Sequence, residues 1–156
     1  SGSTPPTGHH MTQFDADVRR HTYAIMRGTL LVIDPSSGGS SLPGYACYKA
    51  GQLKKSGVVP LDVDDIQGRL RALYDYLLLS NPDVLAIERI GGPKAHRHLW
   101  WSVGVSIAAA NPVALIEVPV STWKKHAREG GVWTKGDEQD ALAMGACLLD
   151  HARKTA

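Results

Sequence analysis

The stretch Thr29-Leu30-Leu31-Val32-Ile33-Asp34-Pro35 decides the fold of this chain. Its five consecutive apolar or β-branched residues are typical of a central strand that is buried on both faces. The run ends on the carboxylate of Asp34, and the turn-forming residues 35–41 that follow place this side chain where the strand leaves the sheet. Such an aspartate either caps a turn or lies at a site where water, a partner or a metal satisfies its charge.

The composition is that of one globular domain. The chain has 156 residues, 43% of them hydrophobic, which is enough for a substantial core. No apolar run approaches the ~20 residues of a membrane span, and the N-terminus lacks the pattern of a secretory signal. The two cysteines, Cys47 and Cys147, lie in segments typical of a buried strand and a buried helix. We therefore expect reduced thiols and a cytoplasmic protein.

Residues 1–28 have little apolar periodicity. We expect them to form an N-terminal extension that is flexible and partly derived from the expression vector, with a short helix over Asp15–Met26 as its one ordered element. Residues 29–156 are predicted to form a single domain, since they contain no internal repeat and no break in composition.

The rest of the chain alternates between strand and helix patterns. Gly44–Ala50 and Gln52–Val59 flank Gly51, which predicts two antiparallel strands joined by a tight turn. Apolar residues at three- and four-residue steps from Val63 to Leu78 predict an amphipathic helix. The later elements are predicted as a strand over Val84–Glu88, a helix over Lys94–Ala110, a strand over Val113–Val118, a short basic turn over Ser121–His126 and a helix over Asp137–Arg153.

This order predicts an α/β fold in which a mixed sheet has helices on its faces. A right-handed crossover makes Val84–Glu88 parallel to Thr29–Asp34. If these two strands are neighbours, the carboxylates that end them, Asp34 and Glu88, emerge at the same end of the sheet.

The final helix opens with a second group of acids, Asp137-Glu138-Gln139-Asp140. Aspartates three residues apart lie on one face of a helix, roughly 5–6 Å apart at Cβ, and repel each other unless a positive charge lies between them. They either complement the positive end of the helix dipole or act as ligands. Together with Asp34 and Glu88 they offer the hard oxygen ligands that suit Mg²⁺ or Mn²⁺. Paired ions of this kind serve phosphodiester hydrolysis.

Three segments resemble the RuvC-like Holliday junction resolvases across roughly residues 29–150. They are Leu31–Pro35 with Gly44-Tyr45-Ala46 after the loop, Val84–Glu88, and Asp137-x-x-Asp140-Ala141-Leu142-Ala143. The resemblance implies an RNase H-like fold, with a five-stranded sheet in the order 3-2-1-4-5. It further implies a Mg²⁺-dependent endonuclease that resolves four-way DNA junctions, with Asp34, Glu88, Asp137 and Asp140 as catalytic metal ligands.

The chain departs from this family in two places. Only residues 126–136 separate the last strand and its basic turn from the final helix, where family members usually carry a further helical segment. This brevity resembles compact phage-type relatives. Gly91-Gly92-Pro93 also stands where the family tends to have an aromatic wedge, so the means of holding a junction open is not evident.

Basic and aromatic residues provide candidates for DNA contact. If the four acids of the predicted site are left out of the charge count, eleven acidic residues remain against seventeen Lys and Arg. This excess of six positive charges suits a polyanionic partner. After the Glu88 strand, Lys94, Arg97 and His98 are candidates for phosphate contact, and Trp100 is a candidate for stacking on an unpaired base. The alternative is an exposed helix start with one tryptophan in the core.

Lys124 and Lys125 are a second basic group. Lys124 falls near a lysine position typical of the family, and a lysine beside the acids stabilises the charge that develops on a phosphate. The alternative is an ordinary exposed basic turn. A single carboxylate cluster cuts one strand, so symmetrical resolution of a junction predicts a homodimer. Its expected surface is the helix Lys94–Ala110.

Other functions remain compatible with the sequence. The same four acids serve an RNase H-like nuclease that cuts RNA–DNA hybrids or flaps. A junction-binding protein without cleavage is also possible, although it has no use for four carboxylates that repel each other. A nucleotide-binding ATPase of related fold would need glycines placed to hold phosphates, and Gly38-Gly39 lies too far after Asp34 for that role.

Overall fold

The computed structural model describes residues 11–35, 43–59, 66–89, 102, 106, 111 and 113–156. In this part of the chain the helices are α1 (Gln13–Arg20), α2 (Thr22–Arg27), α3 (Ile66–Ser80), α4 (Val120–Glu129) and α5 (Asp137–Thr155). The strands are β1 (Thr29–Asp34), β2 (Gly44–Lys49), β3 (Gln52–Val58), β4 (Val84–Glu88) and β5 (Ala114–Val118). None of these helices is long and apolar enough to cross a membrane.

The five strands form one mixed sheet in the order β3-β2-β1-β4-β5, which confirms the predicted order. Strand β1 lies in the middle, antiparallel to β2 and parallel to β4. The β2–β3 turn is made by Ala50 and Gly51, whose φ angles of 51° and 76° are the positive values that two-residue hairpin turns require. The glycine recognised in the sequence therefore marks the turn correctly.

Successive side chains of β1 point into two different cores. Leu30 and Val32 belong to a core beneath α5, whereas Leu31 and Ile33 belong to a core on the α3 side of the sheet. Strand β4 follows the same alternation, because Val32 lies beside Ala86. The residue that follows Ile33 is therefore directed towards the α5 side.

Residues 11–28 are packed against the domain. Phe14 and Val18, one helical turn apart on α1, and Ile25 on α2 are buried in the same core as α5. Thr12 caps α1, because its hydroxyl accepts a hydrogen bond from the backbone N–H of Asp15 at 3.1 Å. This packing differs from the flexible extension expected over residues 1–28. Residues 1–10 and most of the helix expected over Lys94–Ala110 lie outside the described residues.

Helix α5 approaches the sheet closely at Gly145. A Cβ atom at this position would lie 2.5 Å from the Tyr48 ring on β2. The Tyr48 hydroxyl donates a hydrogen bond to the Leu142 carbonyl at 3.4 Å, one turn earlier on the helix. The absence of a side chain at Gly145 therefore allows α5 to lie directly on β2.

We expect Gly145→Ala to lower the free energy of unfolding by about 1–3 kcal/mol, because the added methyl group overlaps the Tyr48 ring. The sign is diagnostic, since helix propensity alone would favour alanine by about 1 kcal/mol. Urea unfolding followed by circular dichroism measures the change. In a Tyr48→Val background the same substitution should be neutral or stabilising. An equal loss in both backgrounds would contradict the packing described.

Candidate metal centre

Asp34 is the last residue of β1 and is only 2% exposed. The alternation of the strand directs it to the α5 side of the sheet, as it does Leu30 and Val32. Its neighbour in register across β2 is Gly44. A buried carboxylate is thus placed at the point where the helical layer meets the end of the central strand.

Gly44 allows the first turn of α5 to lie directly on the sheet. A Cβ atom at this position would overlap the backbone carbonyl of Asp137 and the backbone nitrogen of Glu138. Any residue other than glycine would therefore push the start of α5 away from β2. Because Gly44 is opposite Asp34, this close contact brings the acids of the helix next to the acid of the strand.

Asp34, Asp137 and Asp140 form one carboxylate cluster. One carboxylate oxygen from each residue lies within 4.8 Å of the others. Two unit charges at about 5 Å repel by roughly 1 kcal/mol in water and about 3 kcal/mol at an effective dielectric constant of 20. Three hard oxygen donors this close together, one from β1 and two from the first turn of α5, fit a divalent cation such as Mg²⁺ or Mn²⁺.

Glu88 ends β4 and is also 2% exposed. Ile33 and Ile87 are neighbours in register, so Asp34 and Glu88 follow them on adjacent strands, whose spacing is about 4.8 Å. The indole Nε1–H of Trp123 donates a hydrogen bond to Glu88 Oε2 at 3.1 Å. Glu88 is not a member of the three-carboxylate cluster, and it lies beside the cluster in an orientation fixed by Trp123.

Glu138 is directed to β3 and not to the cluster. Its Oε2 accepts a hydrogen bond from the Ser56 hydroxyl at 2.8 Å. This contact ties the first turn of α5 to the far edge of the sheet, between the two aspartates that the turn carries. One residue further on, Gln139 Oε1 accepts a hydrogen bond from the backbone N–H of Lys135 at 2.7 Å, which holds the preceding loop.

The predicted basic contacts are placed only in part. Lys124 is exposed, and its Nζ lies 5.7 Å from the ring centroid of Trp123, the residue that orients Glu88. The Nζ of Lys125 lies 3.9 Å from Glu129 in an exposed pair on the same helix. The other candidates for DNA contact, Lys94, Arg97, His98 and Trp100, lie outside the described residues. The DNA contacts assigned to all six stay predictions.

Sequence reasoning missed two residues that shape the site. The sequence predicts Trp123 within a short basic turn, whereas the structure places it on the ten-residue helix α4, where it is 1% exposed. The four-residue step from Trp123 to Ala127, both buried, is the signal that would have revealed this helix. The hydrogen bond from Ser56 to Glu138 joins residues 82 positions apart in the sequence, so no local sequence pattern predicts it.

Two solved structures of Thermus thermophilus RuvC, one of them in complex with Holliday junction substrate, are similar to this chain. Their TM-scores are 0.59 and 0.57 at 14% and 13% identity, over 81% of this chain and 94% and 95% of theirs. The chain has the RNase H-like fold of RuvC. The predicted resemblance is confirmed at the level of the fold.

The fowlpox virus Holliday junction resolvase aligns with a TM-score of 0.49 and 14% identity, over 82% of this chain and 99% of that one. A scan against protein-family models gives no match, and a search of the curated proteins gives none either.

We expect Asp140→Asn to raise the Tm in excess chelator by about 2–4 °C, because removing one of three clustered charges relieves repulsion on the order of 1 kcal/mol. Mg²⁺ or Mn²⁺ should raise the Tm of the wild type and raise that of the variant much less, since the variant has lost a ligand. Differential scanning fluorimetry with and without metal measures both effects.

Asp150→Asn is the matched control on the same helix. The Asp150 carboxylate accepts hydrogen bonds from Lys154 at 3.1 Å and His126 at 3.2 Å. These contacts, with Lys154 first, hold the pKa of Asp150 below its ordinary value. Removing this charge therefore removes attraction, so the Tm should not rise and the response to metal should be kept. If the Tm of Asp140→Asn in excess chelator is equal to or below that of the wild type, the proposed repulsion within the carboxylate cluster is contradicted.

Proposed function

We propose that this chain is a metal-dependent endonuclease of the RuvC-like type that cuts branched DNA at four-way junctions. The observation that carries the proposal is the cluster of Asp34, Asp137 and Asp140 at the end of β1 in a RuvC fold. Three carboxylates so close together oppose folding unless they serve a cation. The fold alone hosts several chemistries, so the cluster carries the assignment to hydrolysis of a phosphodiester.

Each residue of the site has a part in this function. Asp34, Asp137 and Asp140 would hold the metal, with Glu88 contributing from β4 in the orientation set by Trp123. Bound Mg²⁺, or Mn²⁺ in its place, supplies activation of the attacking water and stabilisation of the leaving oxygen. Lys124, which lies on α4 next to Trp123, would offset negative charge on the substrate phosphate.

The proposed substrate is a DNA junction because the RuvC structure of the same fold is one in complex with Holliday junction substrate. The excess of basic residues outside the acidic set favours a polyanion. Phosphate contacts are assigned to Lys94, Arg97, His98, Lys124 and Lys125, and base stacking to Trp100. An RNase H-like nuclease for RNA–DNA hybrids or flaps is the alternative that the same cluster would serve.

We expect Asp34→Asn and Asp140→Asn each to lower the rate of junction cleavage by at least about 100-fold, because each substitution removes a metal ligand. Junction binding should be unchanged or tighter, since the substitution also removes negative charge that repels phosphate. Cleavage and gel-shift assays on the same preparations, with a four-way junction, an RNA–DNA hybrid and plain duplex side by side, measure both effects.

The control is Asp75→Asn, which removes an exposed carboxylate from α3. It should cut like the wild type. Ca²⁺ should support binding without efficient cleavage, because its looser coordination positions the reacting groups less well. Near wild-type cutting by Asp34→Asn or Asp140→Asn, or full activity in excess chelator, would refute the assignment. Faster cleavage of the RNA–DNA hybrid than of the junction would support the alternative nuclease and contradict the junction as substrate.

We further expect a homodimer that nicks two strands of a junction symmetrically. Resolution needs two cuts, and a two-fold dimer places two clusters at related positions. The proposed dimer surface is the helix over Lys94–Ala110, in which Leu99, Val103 and Ile107 form an apolar stripe in the sequence. Light scattering at micromolar concentration should give twice the protomer mass of 16.8 kDa. A monomer mass, both for the free protein and for the protein bound to the junction, would contradict the proposed homodimer.

A further inference from the structure

Trp133 is the most exposed large apolar side chain in the described part of the protein. It is 86% exposed, and the adjacent Val132 is 51% exposed. Tryptophan is usually well buried on average, because leaving its ring in water forfeits a large hydrophobic gain. Two neighbouring exposed apolar side chains offer a contact surface to another molecule.

The loop that carries Trp133 is held at both ends. It connects α4 to α5, and the backbone N–H of Val132 donates a hydrogen bond to the Ala127 carbonyl at 2.8 Å. At the other end, the N–H of Lys135 donates to Gln139 Oε1 at 2.7 Å. The tryptophan is therefore presented from an anchored loop.

The position of this loop relates it to the carboxylate cluster. Trp133 precedes Asp137 by four residues, so the two Cα atoms are at most about 14 Å apart. That distance corresponds to about four nucleotides of a stacked strand at 3.4 Å per nucleotide. A strand with one phosphate at the cluster and its next nucleotides running towards the loop would bring a base within reach of the indole ring.

An apolar recess lies beside the tryptophan. It has a volume of about 250 Å³ and is lined on its apolar side by Ala127, Val132, Leu142 and Ala143. This volume lies below the range of about 300–1,000 Å³ typical of sites for drug-sized ligands. The recess suits a single flat ring more than an extended apolar segment.

The charges around the loop identify the kind of occupant. Lys124, Arg128 and Lys135 are exposed on α4 and the loop, while Lys125 pairs with Glu129. Exposed cations on this helix and loop repel a basic partner and attract a phosphate backbone. Positive charge that follows the backbone, combined with an aromatic platform for bases, is the pattern of single-strand nucleic-acid binding.

We propose that Trp133 stacks on an unpaired base of the DNA strand whose phosphate lies at the Asp34–Asp137–Asp140 cluster. The inference rests on the proposed function for the ligand class and for the position of the phosphate. It assigns the recognition of unpaired DNA near the cut to the α4–α5 loop. Trp133 is a substrate-contacting residue in this account and takes no part in the chemical step.

The test is a binding titration in Ca²⁺ with a four-way junction that carries 2-aminopurine within four nucleotides of the cut. We expect Trp133→Ala to weaken Kd about 5- to 100-fold, the effect of losing one stacked base, and to abolish the change in 2-aminopurine fluorescence that accompanies binding. Trp133→Phe should keep most of both signals, because it retains an aromatic face. Both variants alter an exposed side chain, so circular dichroism should show unchanged folding.

Tyr23→Ala is the matched control. Tyr23 is 81% exposed on α2, which leads into the start of β1, whereas the cluster lies at the end of that strand. Its removal should leave Kd and the fluorescence change as in the wild type. An equal effect of Tyr23→Ala, or unchanged binding by Trp133→Ala, would overturn the inference.

The outcomes separate this inference from the proposed function. If the wild type cuts the junction and Trp133→Ala binds it unchanged, the stacking role is refuted and the nuclease assignment stands. If the wild type cuts none of the substrates, the nuclease assignment fails and the stacking role near the cut fails with it, while Kd of Trp133→Ala compared with Tyr23→Ala still shows whether Trp133 contacts the junction. A loss of dimer mass in Trp133→Ala, with DNA binding unchanged, would show that the loop contacts a second copy and overturn the proposal.

Discussion

The contact between the first turn of α5 and Gly44 is the constraint on which the rest of the site depends. It leaves no room for a side chain at the start of β2, and it forces Asp137 and Asp140 against Asp34. The repulsion that results is offset elsewhere along the same helix. The buried face of α5 packs on the sheet, and α1 and α2 pack on α5 in the same core. The packing along the helix therefore holds its first turn in place against the repulsion between these charges.

Residues around the cluster fix its geometry from two further directions. Ser56 binds Glu138 and ties the helix start to β3, and Trp123 binds Glu88 from α4. These hydrogen bonds occupy the two glutamates nearest the aspartate cluster in ways that set orientation. A site in which neighbouring polar groups position the ligands is what binding and catalysis at a metal centre require. The fold and the proposed chemistry are linked through these contacts.

Much of the fold follows from local patterns in the sequence. Continuous apolar runs predicted β1 and β4, Gly51 predicted the hairpin, and the crossover rule predicted that Asp34 and Glu88 emerge at the same end. Contacts between distant segments could not be predicted in this way. The packing of α1 on α5 joins segments more than a hundred residues apart, and the bond from Trp123 to Glu88 spans 35 positions. Helix α4 was not predicted because its apolar pattern consists of a single four-residue step, from Trp123 to Ala127, and consecutive basic residues lie within that step.

Anomalous scattering from crystals soaked in Mn²⁺ would show directly whether the three aspartates form a divalent-cation site. A manganese peak is expected within coordination distance of carboxylate oxygens of Asp34, Asp137 and Asp140. A second peak on the side of Glu88 would match the paired ions that serve phosphodiester hydrolysis. Fully soaked crystals without a peak at the cluster, or with manganese bound only elsewhere, would show that the three aspartates do not form a cation site.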